Sequence, residues 1–170
     1  MNHPLRIAIA GMLGSGLLAG GMAQTPPRDP VAAQRQKIRR SIQRGIAYLR
    51  GTQQPDGSWQ RYPGITALAV LALVRGGVPP SDPAVVRGAA ALARWSKPNG
   101  AIYTDEFGPA QALPNYNTAL AMRALHATGD PRYRDVVRNA QRYLERSQFD
   151  EGEGISRSDP RYGGIGYGSR

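Results

Sequence analysis

The chain contains no cysteine. That excludes disulfides, a thiolate nucleophile, a lipid-bearing cysteine near the N-terminus and thiolate-held zinc, so packing alone must hold the fold. Histidine is almost as scarce: beyond His3 there is only His126, and a single imidazole with no spaced partner is a poor metal signal. Acidic residues are few, 12 against 22 lysines and arginines, for a formal net charge of +10. The arginines fall at helical spacing (Arg39, Arg40, Arg44, Arg50; Arg132, Arg134, Arg138, Arg142, Arg146) and are not interleaved with aromatics. They read as solvated outer faces and not as a nucleic-acid platform. Sustained period-two alternation is missing too, so a sheet is not expected.

What is present begins with a short basic start, Met1 to Arg6, followed by an uncharged apolar run from Ile7 to Gly20 and the small-residue site Gly21-Met22-Ala23. The run is shorter than the roughly 20 residues that cross a bilayer and has the layout of a signal peptide. Residues 1–23 are read as that signal, cleaved after Ala23. An uncleaved anchor is the alternative, disfavoured by Gly11, Gly14, Gly16 and Gly20. Arg6 carries one unit of the charge, leaving +9 on the processed chain. Nothing later is apolar for long enough to span a membrane, so the expected location is periplasmic or extracellular, not transmembrane.

Residues 24–34 read as a Pro-rich linker, and helical text begins near Val31. Ile38, Ile42, Ile46 and Leu49 make an apolar stripe opposite Lys37, Arg39, Arg40 and Arg44, as expected of a half-exposed outer helix. Gln53-Gln54-Pro55-Asp56-Gly57 stops it. The uncharged segment Ile65 to Val74 predicts an inner helix covered on all sides, closed by Gly76-Gly77. Asp82-Pro83 and Asp130-Pro131 then supply cap-plus-proline helix starts. Between them lie a second amphipathic helix, a Pro98-Asn99-Gly100 turn and a small-residue helix from Tyr116 to Ala127. A third round runs through Val136, Val137, Ala140, Tyr143 and Leu144 to a Gly-rich turn at Gly152 to Gly154. Outer helix followed by inner helix, recurring at about 45 to 50 residues, is the mark of an array of helical hairpins. The third outer helix has no inner partner before Arg170, so a truncated product of about two and a half repeats is expected.

The segment Arg44-Gly45-Ile46-Ala47-Tyr48-Leu49-Arg50-Gly51-Thr52-Gln53-Gln54-Pro55-Asp56-Gly57-Ser58-Trp59 resembles the QW repeat of squalene and hopene cyclases. A looser copy runs from Asn139 through Gln148 without the tryptophan, and the middle round has Leu92, Asn99-Gly100 and Tyr103 in comparable places. Residues 35–170 are accordingly similar to the prenyltransferase and squalene oxidase repeat family, in an exported bacterial form. The resemblance implies an all-α fold, an α/α toroid whose inner helices line a central cavity. Physically, Gln53 can bind the first turn of the next helix while Gly57 turns the chain and Trp59 covers it, a structural staple.

The family's chemistry is harder to find. Its cyclases protonate an alkene with an Asp-x-Asp-Asp motif, which is absent. The nearest cluster, Asp150-Glu151-Gly152-Glu153, lies in a turn, where solvated acids or a weak calcium loop are the simpler readings. Zinc ligation of the prenyltransferase kind needs the missing cysteine, so neither metal nor cofactor is expected. If the inner helices line a cavity, Tyr116 and His126 are the candidates to face it, although His126 also suits capping of the last carbonyls. Asn115 or Asn117 reads as a helix N-cap. Two functions remain open. One is a non-catalytic module binding a cell-surface partner or a hydrophobic isoprenoid; the other is a cyclase-type or prenyltransferase-type enzyme whose catalytic residues lie in repeats beyond Arg170.

Overall fold

A computed structural model describes residues 29–168; the proposed signal peptide and residues 24–28 of the linker lie outside them. The described chain is all-helical: α1 (Pro30–Thr52), α2 (Pro63–Arg75), α3 (Pro83–Arg94), α4 (Pro109–Ala112), α5 (Pro114–Ala127) and α6 (Arg134–Glu145), with 3-10 turns at Pro131–Tyr133 and Glu151–Glu153. Among the described residues there is no strand, only isolated bridges pairing Ser96 with Ile102 and Gln148 with Ile165.

Proline sets most of the starts. Each α-helix except α6 opens with proline in its first turn, where the missing N–H costs nothing and the fixed φ suits the helix. Asp29, Asp82 and Asp130 accept the amides of Val31, Ala84 and Arg132 as side-chain caps. α1 therefore begins at Pro30, one residue before Val31, near which helical text was expected.

Asp82 has a second partner, Arg50 of α1, at 2.7 Å. Partial burial opposes ionisation of Asp82, but the Ala84 amide and the Arg50 guanidinium outweigh it and hold its carboxyl below the ordinary range. A carboxyl depressed in the folded state stabilises fully above its unfolded pKa, near 4, and loses that contribution as pH falls. Asp82→Ala should therefore cost about 1 kcal/mol at neutral pH, and urea melts at pH 7 and pH 2.5 should show the difference shrinking in acid.

α2 and α5 lie side by side at the centre, with α3 against α2 and α6 against α5. Val70 and Leu73 of α2, Val85 and Leu92 of α3, Leu125 of α5 and Ile102 form the buried core. Small residues let the helices approach: a methyl added at Gly88 of α3 would stand 2.6 Å from Val70 Cγ2.

Two expectations about burial are corrected. α2 is not covered on all sides: Ile65 is 37% and Leu68 49% exposed, on one face with exposed Ala72, because no described helix packs there. In the stripe of α1 only Ile46 is buried, with Leu49 partly so; Ile38 and Ile42 stay exposed because the helix outruns the body it packs on.

Candidate functional site

The turns after the outer helices share one hydrogen-bond pattern. The Gln54 amide donates to Ser58 O and the Gly57 amide to Gln54 O; Lys97, Ala101 and Gly100 repeat this, and so do Phe149, Gly164 and Gly163. In the first two, Pro-Asp and Pro-Asn occupy the centre and glycine follows at positive φ, 87° at Gly57 and 94° at Gly100. Asp56 and Asn99 each accept the amide two residues on, from Ser58 and Ala101. The third turn differs: its glycine is Gly163, and residues 150–162, which include the turn expected at Gly152–Gly154, stand where the other turns have a dipeptide.

Side chains tie these turns to their neighbours. Gln53 Nε2 donates to Gly57 O and to Ala84 O in the first turn of α3, while its Oε1 accepts from Arg87. Gln148 Nε2 makes the corresponding bond to Gly163 O. Arg94 and Arg146, at the ends of α3 and α6, donate to Asp56 O and Asn99 O. Trp59 is buried beside Gly88, with its indole N–H on Leu49 O. Two threonines missed in the sequence complete the pattern: Thr66 Oγ1 on α2 accepts the Trp59 amide and Thr118 Oγ1 on α5 accepts that of Ile102. The signal for Thr66 was a lone hydroxyl inside a hydrocarbon run, since a fully buried hydroxyl must find a partner.

Beside this scaffold lies an apolar groove of about 420 Å³, walled by Ile65, Leu68 and Ala72 of α2, Tyr48 and Leu49 of α1, and Trp59. Thr52, Gln54 and Gln60 add polar groups to its lining. Gln60 and Arg61 both hold left-handed backbone, φ 54° and 52°, bridged by the Tyr62 amide on Trp59 O. Neither is glycine, so the pair stores strain of about 1–3 kcal/mol per residue. The strained turn is clamped by Gln54 Oε1, which accepts the Arg61 amide, and by the Arg61–Glu106 ion pair at 2.7 Å. The half-buried Tyr62 donates its hydroxyl to Gln111 O, and its ring lies 5.8 Å from that of Phe107.

Tyr116 and His126 are not brought together. Tyr116 opens α5 in a groove of about 310 Å³ with Tyr167, ring centroids 5.8 Å apart. His126 is exposed in the last turn, beside Asp130 and Arg134 in a separate groove of about 290 Å³. Ten residues apart on one helix, they stand about 15 Å from each other along its axis. The carbonyls at that end of α5 are taken by the Thr128 hydroxyl on Leu125 O and the Gly129 amide on His126 O. Neither asparagine caps the helix start. Leu113 is the cap residue, and Asn115 instead donates to Gly166 O and Gly168 O, while Asn117 donates to Ala112 O and Tyr62 Oη.

Among the described residues, seven of the acidic side chains form surface ion pairs. Arg132 holds the Asp130 carboxyl below the usual range, and Arg161 holds that of Asp159 at about 2. Glu151 is lowered by its own backbone amide and then by Arg157 and the Tyr162 hydroxyl. These shifts favour the ionised form, opposite to what an alkene-protonating acid requires. Among the described residues no three His, Asp or Glu side chains converge as a metal site, and no helix is long and apolar enough to cross a membrane. Neither a family model, nor a curated protein, nor a solved structure matches this chain.

Proposed function

We propose that the chain is an exported, non-catalytic binding module built from cyclase-like helical repeats, part of an α/α toroid, and that it takes an apolar isoprenoid-type chain in the groove along α2. The observation that carries this is the groove itself: an uncovered hydrocarbon wall of Ile65, Leu68 and Ala72 beside a strained turn held by two separate clamps. Backbone strain of this kind persists where the surroundings over-determine it, and it clusters at ligand clamps. The QW-like residues Gln53, Gly57 and Trp59 act as scaffold in this reading, positioning the groove without touching chemistry.

The test is binding and turnover measured together. The protein should bind a fluorescent farnesyl analogue, and Leu68→Asp should weaken that binding at least tenfold by placing a charge on the apolar wall. Incubation with squalene or farnesyl diphosphate should leave both unchanged by mass spectrometry. A cyclised or transferred product would overturn the non-catalytic reading, and Leu68→Asp with undiminished affinity would remove the groove.

A further inference from the structure

α1 is 23 residues long, whereas α3 and α6, the other outer helices, have 12 each. Registering the three on the shared amides of Gln54, Lys97 and Phe149 leaves residues 30–39 as an extension beyond the common length. On it and just beyond, apolar side chains recur at i, i+7 and i+11: Val31 is 56% exposed, Ile38 50% and Ile42 43%. They lie on the side of α1 that, further along, buries Ile46, so the core-facing stripe continues past the body of the protein.

The charged side chains of this stretch are all of one sign: Arg35 and Arg39 border the stripe, and Lys37, Arg40 and Arg44 lie on the far side of the helix. Arg35, Lys37, Arg39, Arg40 and Arg44 are exposed, and none forms an ion pair among the described residues. Nor does the adjoining sequence offer a counter-charge. Between Met1 and Pro55 the only carboxylate is Asp29, which already accepts the Val31 amide. By contrast α6 mixes Asp135 and Glu145 with its arginines. A second copy of α1 laid on this stripe would set cation against cation, and an uncharged apolar partner would leave the flanking charges unmatched. An anionic interface satisfies both: hydrocarbon for the stripe, and phosphates for the guanidinium groups that snorkel beside it.

We propose that the 30–44 stretch of α1 docks on an anionic phospholipid bilayer, lying in the interface with Val31, Ile38 and Ile42 inserted, Arg35 and Arg39 on lipid phosphates beside them, and Lys37, Arg40 and Arg44 on the polar face in the headgroup layer. This does not depend on the groove having a ligand.

Because the chain has no cysteine, Ile38→Cys gives a unique attachment point for an environment-sensitive NBD dye. The labelled protein is titrated with vesicles of pure phosphatidylcholine and of equimolar phosphatidylcholine and phosphatidylglycerol. The expected result is a blue shift with several-fold brightening on the anionic vesicles alone, reversed by raising the salt. Replacing Arg35, Lys37, Arg39 and Arg40 by Gln should lower the partition at least a hundredfold, at about fivefold per charge. A control variant with the same net charge, changed to Gln at Arg75, Arg123, Arg134 and Arg138, should keep most of the binding. Equal loss in both variants would reduce the effect to diffuse charge and overturn the proposal. A comparable dye shift with polyglutamate would instead make α1 a site for acidic protein, and one that grows with protein concentration without vesicles would make it a self-association face; either result also overturns it.

Discussion

Gly57→Ala is expected to destabilise the protein by about 3 kcal/mol, seen as a melting temperature lowered by roughly 6–12 °C. Two causes add. Gly57 sits at φ 87°, where any side chain is strained, and a Cβ there would come within 2.5 Å of the Arg87 carbonyl oxygen. That oxygen belongs to the backbone of α3, so relief requires moving the helix and with it the Gln53–Ala84 bond. Gly100 stands in the same relation to the Asn139 carbonyl of α6 and should behave alike. Gly77 separates the two causes: its φ is 89° but nothing lies within 4 Å, so Gly77→Ala should cost only the strain, about 1 kcal/mol. Thermal melts of the three variants decide the matter. Equal losses at Gly57 and Gly77 would mean that the turn does not press against α3.

Trp59→Ala should cost about 3–5 kcal/mol, a large part of the roughly 5–15 kcal/mol that holds a domain folded. The indole is only 4% exposed, lies against Gly88 of α3 and satisfies the Leu49 carbonyl near the end of α1. Its loss opens a cavity between α1, α2 and α3 at once. Trp59→Phe isolates the polar part: most of the ring volume stays, but Leu49 O loses its donor, for about 1–2 kcal/mol. Chemical denaturation of both variants gives the comparison. A Trp59→Ala loss below that of Trp59→Phe would contradict the placement of the indole in the core.

The helices and their starts were legible in the sequence because proline, aspartate and glycine act locally. Asp82-Pro83 specifies a cap and a first turn whatever surrounds it, and Pro55-Asp56-Gly57 specifies its turn in the same way. Coverage was not legible, since it depends on elements far away in the chain. The uncharged segment Ile65 to Val74 looks wholly buried from its own composition, and Ile65 and Leu68 are exposed because no described helix packs over them. The asparagines misled because Pro114 already occupies the helix start, which frees Asn115 to reach a loop 51 residues on. The third turn was hidden for another reason: its glycine is separated from Phe149 by residues 150–162, and no triplet survives to mark it. Gln53 could be read as a staple by its place at a helix end, whereas Thr66 needed its partner, the Trp59 amide, to be seen.

That third turn has a consequence for how such a chain can change. Phe149 meets Gly163 and Gly164 through the same pair of backbone bonds that closes a two-residue turn elsewhere, yet residues 150–162 intervene. Lengthening a flexible connection is inexpensive, about 0.6 kcal/mol for each doubling. The bridge between Gln148 and Ile165 keeps the register on either side whatever the length between them. The turn is therefore a socket for foreign sequence: a peptide tag, a protease site or a small domain spliced between Glu151 and Arg161 should leave the helices in place, and natural variation in length should accumulate there first.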